Sequence, residues 1–383
     1  MINLAIVAPD GNANTQTFVR AHKRIKANVF FYYNGSIPII LEGYGMIGID
    51  KTILNSMKSI LRTLISINPI SLYRSKLNVL EYLFAKSLRE NRVNVVLAEF
   101  GTTGVACMKV CRYLDIPLVT HFHGYDCSAY EVLEKYSQKY KEMFEYASSI
   151  IAVSHVMERK LVTIGADPSK LLYNPYGPNE LFYQVRNCTR KIQFFSVGRF
   201  VDKKAPYYTI AAFIQVLAKY PNAKLLMGGE GPLYPTCVNL VRMYGLQDHI
   251  HFLGVLTPEE VKKNFDESVA FVQHSITAMN GDMEGTPVGI LEASASGLPV
   301  ISTIHAGIPD VIINNVTGLL VEEHDVDGMA KNMIWVLDNP EKAHEMGERG
   351  QKHIKEHFSL DKHLQILTKA VTDAAAKCSI NEE

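Results

Sequence analysis

The 383-residue chain lacks a net charge of either sign: 39 Lys+Arg face 39 Asp+Glu. That balance argues against a dedicated nucleic-acid binder, which carries a basic excess. It lacks any Cys-x-x-Cys pair. Its six cysteines, Cys107, Cys111, Cys127, Cys188, Cys237 and Cys378, are scattered. Such spacing predicts reduced, mostly buried thiols rather than a disulfide framework or a zinc site. No apolar stretch reaches the roughly 18–20 uncharged residues of a spanning helix. The segment Met1–Asp10 has no basic leader and too short an apolar run for a signal peptide. It reads as a buried first strand, and a cytoplasmic chain is expected. Walker, Ser-His-Asp and zinc-type patterns are missing as well. So is Gly-x-Gly-x-x-Gly, since Gly228-Gly229-Glu230-Gly231-Pro232 has no third glycine. This argues against a nicotinamide dehydrogenase.

What is present is a content of 47% apolar residues, enough for folded cores in a chain whose length suggests two domains. Short apolar runs alternate with longer amphipathic stretches. The runs are Leu4–Ala8, Val29–Tyr33, Val93–Glu99, Pro117–His123, Ser149–Val153 and Leu171–Tyr173, then Gln193–Val197, Lys224–Met227, Ile250–Leu253, Val269–Val272, Pro299–Ser302 and Leu319–Val321. Runs this short suit parallel strands covered on both faces. The expected fold class is α/β, with two Rossmann-like doubly wound domains facing a cleft. The Pro-, Gly- and Asn-rich segment Asn174–Asn179 and the charged residues after it mark a hinge. The expected units are 1–185, 186–358 and a C-terminal helix within 359–383. The charge also divides there: residues 1–185 carry 20 Lys+Arg against 15 Asp+Glu, and the remainder 19 against 24. The segment 51–92 concentrates basic residues beside apolar ones at helical spacing. It suits an anionic membrane surface, although the outer face of an ordinary helix explains it too.

The stretch Gly281–Pro299 carries the chemistry. It reads as loop, helix and strand, with Thr286 as N-cap, Pro287 at the first helical position and Gly297 at the C-terminal end. A helix N-terminus offers free N–H groups to a phosphate or to sugar oxygens. Glu284 stands before the helix and Glu292 about two turns into it, so a ligand along the helix meets a carboxylate at each end. A nucleotide sugar has hydroxyls for both, on its sugar and on its ribose.

With Gly-Asp-x-Glu-Gly-x-Pro followed by Glu-Ala-x-Ala-x-Gly-x-Pro-Val, this stretch resembles the donor-binding signature of retaining glycosyltransferases of family 4, which have the GT-B fold. Gly198-Arg199 through Lys204 resembles the family's Gly-Arg…Lys loop, and Gly229-Glu230-Gly231-Pro232 its Gly-x-Gly-Pro turn. His121-Phe122-His123-Gly124-Tyr125-Asp126 is similar to its N-domain active-site loop. Gln273 through Asp310, with Thr15-Gln16-Thr17-Phe18-Val19, is closest to the branch that builds exopolysaccharides. The hinge departs from the usual Pro-Asn-Gly and reads Pro175-Tyr176-Gly177. The loop after the first strand reads Asp10-Gly11-Asn12 where many relatives have Gly-Gly.

The resemblance implies a retaining, metal-independent transferase. It would move a sugar from a nucleotide diphosphate sugar, with UDP favoured over GDP, to a glycan or lipid-linked acceptor in surface polysaccharide synthesis. The implied catalytic residues are His123, Arg199, Lys204 and Glu284. Arg199 and Lys204 would neutralise the leaving diphosphate, with no metal or other cofactor. The implied donor-binding residues are Gly198, Gly229, Gly231, Asp282, Gly285, Thr286, Pro287, Val288 and Glu292, with Glu284 on the sugar and Glu292 on the ribose. Gly11, Thr17 and Asp126 fall on the acceptor side. Asp126 equally suits a helix cap, and Asp325-Val326-Asp327 reads as a cap rather than a metal site. A non-catalytic sugar-nucleotide binder and a GT-B epimerase are the alternatives.

Overall fold

The computed structural model describes residues 2–11, 17–47, 76–184 and 191–379. In the first unit, β1 (Asn3–Val7), α1 (Thr17–His22), β2 (Asn28–Tyr33), β3 (Ile40–Leu41) and β4 (Gly45–Met46) precede α2 (Val79–Glu90). Then come β5 (Val95–Glu99), α3 (Gly101–Leu114), β6 (Leu118–His121), α4 (Tyr125–Ser128), α5 (Tyr130–Tyr146), β7 (Ser149–Ala152), α6 (His155–Thr163) and β8 (Leu171–Tyr173). The sheet order is β4-β3-β2-β1-β5-β6-β7-β8. All twelve expected strands are present. The antiparallel hairpin of β3 and β4 on β2 was not expected, because two-residue strands leave no periodicity to read.

The second sheet is wholly parallel, in the order β11-β10-β9-β12-β13-β14. Its elements are β9 (Gln193–Val197), α7 (Pro206–Leu217), β10 (Lys224–Gly228), α8 (Tyr234–Met243), β11 (Ile250–Gly254), α9 (Pro258–Glu267), β12 (Ala270–Val272), α10 (Val288–Ala295), β13 (Val300–Thr303), α11 (Ile308–Val311), β14 (Gly318–Val321) and α12 (Val326–Asp338). The helices α13 (Pro340–His357) and α14 (Leu360–Ser379) follow. Strand order reverses between β1 and β5 in one sheet and between β9 and β12 in the other. Such switch points open crevices at the strands' carboxyl ends, where ligands of doubly wound sheets bind. The GT-B arrangement of two parallel-sheet α/β domains is thus observed.

The period of two along the central strands sorts their side chains. Leu4 and Ile6 of β1 and Val95 and Leu97 of β5 join a core with Leu360, Leu364, Leu367 and Val371 of α14. Ala5, Val7, Val96 and Ala98 face the opposite layer, with Phe84, Leu88, Cys107 and Cys111. At about 1.5–3 kcal/mol per fully buried aliphatic side chain, the four residues of α14 hold the last helix to the first sheet. The turn Glu180–Gln184 already packs with the second unit, where Phe182 meets Phe265 of α9 edge-on.

Of the basic segment, residues 51–75 lie outside the described residues. Its described end forms α2, which buries Phe84, Ala85 and Leu88 in the core. Among the described residues no helix is long and apolar enough to cross a membrane. Cys107, Cys111, Cys127 and Cys237 are buried and unpaired. Asp325 caps α12 by accepting from Gly328 N–H at 2.8 Å, and Asp327 accepts from Gln215. Both aspartates do structural work.

Candidate active site

The donor side is built at the β9/β12 switch point. Gly198 and Arg199 follow β9, Gln273 follows β12, and with Lys204 and Gly228 they line one crevice. Gly229 is held at φ +122°, where a side chain is strained, and a Cβ there would overlap the Gly198 carbonyl. Gly231 similarly lies against the Phe200 backbone. These glycines let two loops lie backbone to backbone, which shapes the crevice floor.

Lys204 Nζ lies 2.9 Å from Glu284 Oε1, and both side chains are largely buried. Burial opposes ionisation of Glu284, but Lys204 and Lys203 outweigh it and hold its carboxyl at about 2. The exposed Arg199 stands beside this pair in the crevice without an ion pair among the described residues. Lys203 has a different job. It is buried and donates to Asp282 Oδ1 at 2.9 Å and to the Met283 carbonyl at 3.1 Å, pinning the 282–284 loop. Asp282 is therefore a loop anchor; burial raises its carboxyl from the ordinary value. His305 also supports the loop. Its Nε2 accepts from Glu284 N–H at 3.1 Å, while its Nδ1 donates to Glu323 at 2.6 Å.

The expected cap is corrected here. Helix α10 begins at Val288 with Pro287 as the flanking residue and no side-chain cap. The Thr286 hydroxyl donates to the Val153 carbonyl of the first unit, and the helix starts one residue too late for Thr286 to flank it. Glu292 sits inside α10, with no side-chain partner among the described residues. Burial pushes it up to about 8.

The two units touch closely here. A Cβ on Gly285 would lie 2.6 Å from the His123 carbonyl, and one on Gly124 2.9 Å from the Met283 carbonyl. Met283 N–H donates to Ser128 Oγ at 3.0 Å, Tyr130 N–H to the Asn280 carbonyl at 2.8 Å, and His155 N–H to Asp310 Oδ2 at 2.9 Å. These contacts hold the loop before α10 against the first unit.

On the first unit, His123 follows β6 between the Phe18 and Phe100 rings, with centroids at 4.8 and 4.4 Å. Both of its ring nitrogens are engaged. Nε2 lies 3.0 Å from Glu99 Oε2, and Nδ1 faces the Tyr176 hydroxyl. Glu99 ends β5 at the other switch point and is fully buried, with His22 at 2.6 Å and His121 at 3.4 Å. Burial opposes its ionisation, but His22, His121 and His123 hold it well below the usual carboxylate range. Burial also lowers His121 to about 3, and its two nitrogens make no hydrogen bond.

Asp126, expected on the acceptor side or as a helix cap, clamps its own loop. It is fully buried and accepts from Gly101, His123 and Gly124 N–H at 2.8–3.0 Å. Gly11 lines a cavity of about 90 Å³ with Asp10, Arg20, Lys23, Tyr33 and Glu42. Thr17 opens α1, but its side chain lies outside the described atoms. Sequence reasoning missed Glu99, His22, Tyr176, His305 and His363. A lone buried acid ending an apolar run was the one signal available, and it pointed to Glu99.

Residues 57–178 match the family described as Glycosyltransferase Family 4, and residues 179–353 the one described as Glycosyl transferases group 1. The putative colanic acid biosynthesis glycosyltransferase WcaL of Salmonella typhimurium is 32% identical over 246 residues, 63% of this chain and 60% of that protein. The amylovoran biosynthesis glycosyltransferase AmsK of Erwinia amylovora is 30% identical over 257 residues, 66% and 63%. The chain thus matches about three fifths of the length of these curated relatives. Among solved structures, Anabaena HepE in complex with UDP superposes with a TM-score of 0.75 at 16% identity, covering 97% of this chain and all of that one. Sucrose-phosphate synthase of Thermosynechococcus elongatus gives 0.75 at 17%, covering 98% and 100%. At such identities the likeness is one of fold.

Proposed function

Because the chain belongs to the glycosyltransferases that join a Family 4 domain to a group 1 domain, we propose that it transfers a sugar from a nucleotide diphosphate sugar with retention of configuration. The acceptor is a glycan or lipid-linked glycan of surface polysaccharide synthesis. The observation that carries this reading is the Lys204–Glu284 pair, with Lys204 and Arg199 lining the switch-point crevice and Glu292 inside the helix that follows Glu284. The names of the relatives, colanic acid and amylovoran glycosyltransferases, support the polysaccharide context. The UDP held by the fold neighbour supports a UDP-sugar, and GDP-mannose-dependent mannosyltransferases among the relatives keep a GDP-sugar as the second donor to test.

In this mechanism the diphosphate sits on Arg199 and Lys204 and the α10 N-terminus, which stabilise its growing charge without a metal. Glu284 accepts from hydroxyls of the sugar and Glu292 from those of the ribose. The acceptor hydroxyl approaches the anomeric carbon on the face the diphosphate leaves. The carbon–oxygen bond to phosphate breaks, the bond to the acceptor oxygen forms, and the acceptor proton passes to the departing phosphate oxygen. Closure of the cleft keeps water from competing. We place the protein in the cytoplasm, peripheral to the inner membrane face where lipid-linked acceptors lie.

A thermal-shift panel of UDP- and GDP-sugars tests the donor, since a true ligand raises the melting temperature by mass action. Transfer to an acceptor is then followed by release of the nucleotide. Binding without turnover would replace the reading by a non-catalytic binder. Free sugar and UDP released without an acceptor would replace it by an epimerase.

A further inference from the structure

Three histidines, one carboxylate and one phenol form a hydrogen-bonded path that leaves the hinge and returns to it. The Pro175 carbonyl can only accept, so His363 Nδ1, at 2.9 Å, carries a proton. Burial holds His363 well below its ordinary value, so the ring is neutral and its Nε2 accepts. His22 Nε2, 2.9 Å away, must then donate. His22 Nδ1 faces Glu99 Oε1 at 2.6 Å. Two lone pairs cannot meet there, so that gap holds a proton between His22 and Glu99. A tetrahedral metal bonded to both atoms would need them about 3.3 Å apart, more than the gap offers. Glu99 Oε2 accepts from His123 Nε2–H at 3.0 Å. The lone pair of His123 Nδ1 is left to accept from the Tyr176 hydroxyl. Tyr176 is buried and stacked on Phe18 with centroids 4.7 Å apart.

We propose that Tyr176 and His363 are positioning residues for His123, which the path fixes as the Nε2–H tautomer with its Nδ1 lone pair turned to the hinge. The inference rests on the reading that His123 serves the transfer reaction. It makes the last helix part of the active-site apparatus, because His363 is the residue of α14 that closes the path. It also gives the departure at Pro175-Tyr176-Gly177 a purpose, since the Tyr176 hydroxyl reaches the His123 ring from that position. The titratable groups facing His123 are Glu99, His121, Tyr176 and Asp126, with His22 and His363 one link further and Glu284 and Cys127 beyond Tyr176.

The test is Tyr176→Phe, which keeps the stacked ring and removes only the hydroxyl. Without that donor, His123 Nδ1 is free to take a proton beside the Glu99 carboxylate. The variant should lose about 10-fold in kcat with KM for the donor within twofold, and gain an acid limb in its pH–kcat profile. His363→Gln, whose amide both donates and accepts, should retain most of the activity that His363→Leu loses. Nitrogen-15 NMR of the wild-type histidines, free of substrate, reads the tautomer whether or not the enzyme turns over. It should show His123 protonated at Nε2 only, in one species. A wild-type pH profile in Tyr176→Phe, equal damage in the two His363 variants, or mixed His123 tautomers would each overturn the proposal. So would one bound zinc per chain by elemental analysis. Failure of turnover in the wild type, with the tautomer intact, would instead count against the transferase reading.

Discussion

Replacing Lys204 by Met should strand the buried Glu284 carboxylate. The pair is 2.9 Å apart, with side-chain exposures of 17% and 9%. The Glu284 carboxyl is held at about 2, against 4.5 for an unperturbed one. That gap corresponds to about 3 kcal/mol of stabilisation at neutral pH. Because the folded value is the lower one, this contribution is complete above pH ~4.5 and is lost as pH falls toward 2. Lys203 remains near Glu284 and also lowers it, so Lys204→Met should cost about 2 kcal/mol rather than the full amount. At about 2–4 °C per kcal/mol for units of this size, the melting temperature at pH 7 should fall by roughly 4–8 °C. Adding Glu284→Gln removes the stranded charge and should restore more than half of that loss. Activity separates from stability: both variants should transfer sugar at least ~100-fold more slowly, the scale of one lost transition-state contact. The assays are urea unfolding and nucleotide release under saturating donor. The reasoning fails if the double variant is no more stable than Lys204→Met, or if Lys204→Met keeps wild-type turnover.

Glu292, pushed up to about 8 by burial, is largely neutral at pH 7. Hydroxyls donate best to its carboxylate, so donor binding should tighten as pH rises from 6 to 9 and release a proton below pH 8. Calorimetric Kd values that stay flat with pH, or follow the same curve in Glu292→Gln, would contradict this. Asp126→Ala leaves three buried N–H groups without their acceptor and should cost about 2–4 kcal/mol. An acceptor-binding role would instead show as a raised acceptor KM at unchanged stability. Anionic liposomes should sediment the protein at low salt and release it as salt screens the basic segment. Binding that is absent or insensitive to salt would exclude a membrane role for residues 51–92.

Much of the architecture was legible because parallel strands are buried on both faces and read as short apolar runs. The donor signature was legible because its residues are contiguous, from Gly281 to Pro299. The first unit's site was not. Glu99, His123, Tyr176 and His363 come from β5, β6, the hinge and the last helix, and no spacing connects them. Thr286 shows the same limit: it has a cap residue's chemistry, but the helix begins after Pro287 and its hydroxyl donates to a carbonyl of the other unit. Lys203 and Lys204 are adjacent and chemically alike, yet the turn at 202–204 sends one to Asp282 and the other to Glu284.

By itself the alternation of short apolar runs determined a two-domain α/β chain, and one contiguous segment in its second half carried the family resemblance. These are local properties, set by periodicity, capping chemistry and composition. The tertiary structure decided which charges meet: Lys204 with Glu284, Glu99 with His22, and His123 with Tyr176. Burial sets the strength of each of those contacts, and burial is a property of the packed chain rather than of any stretch of it.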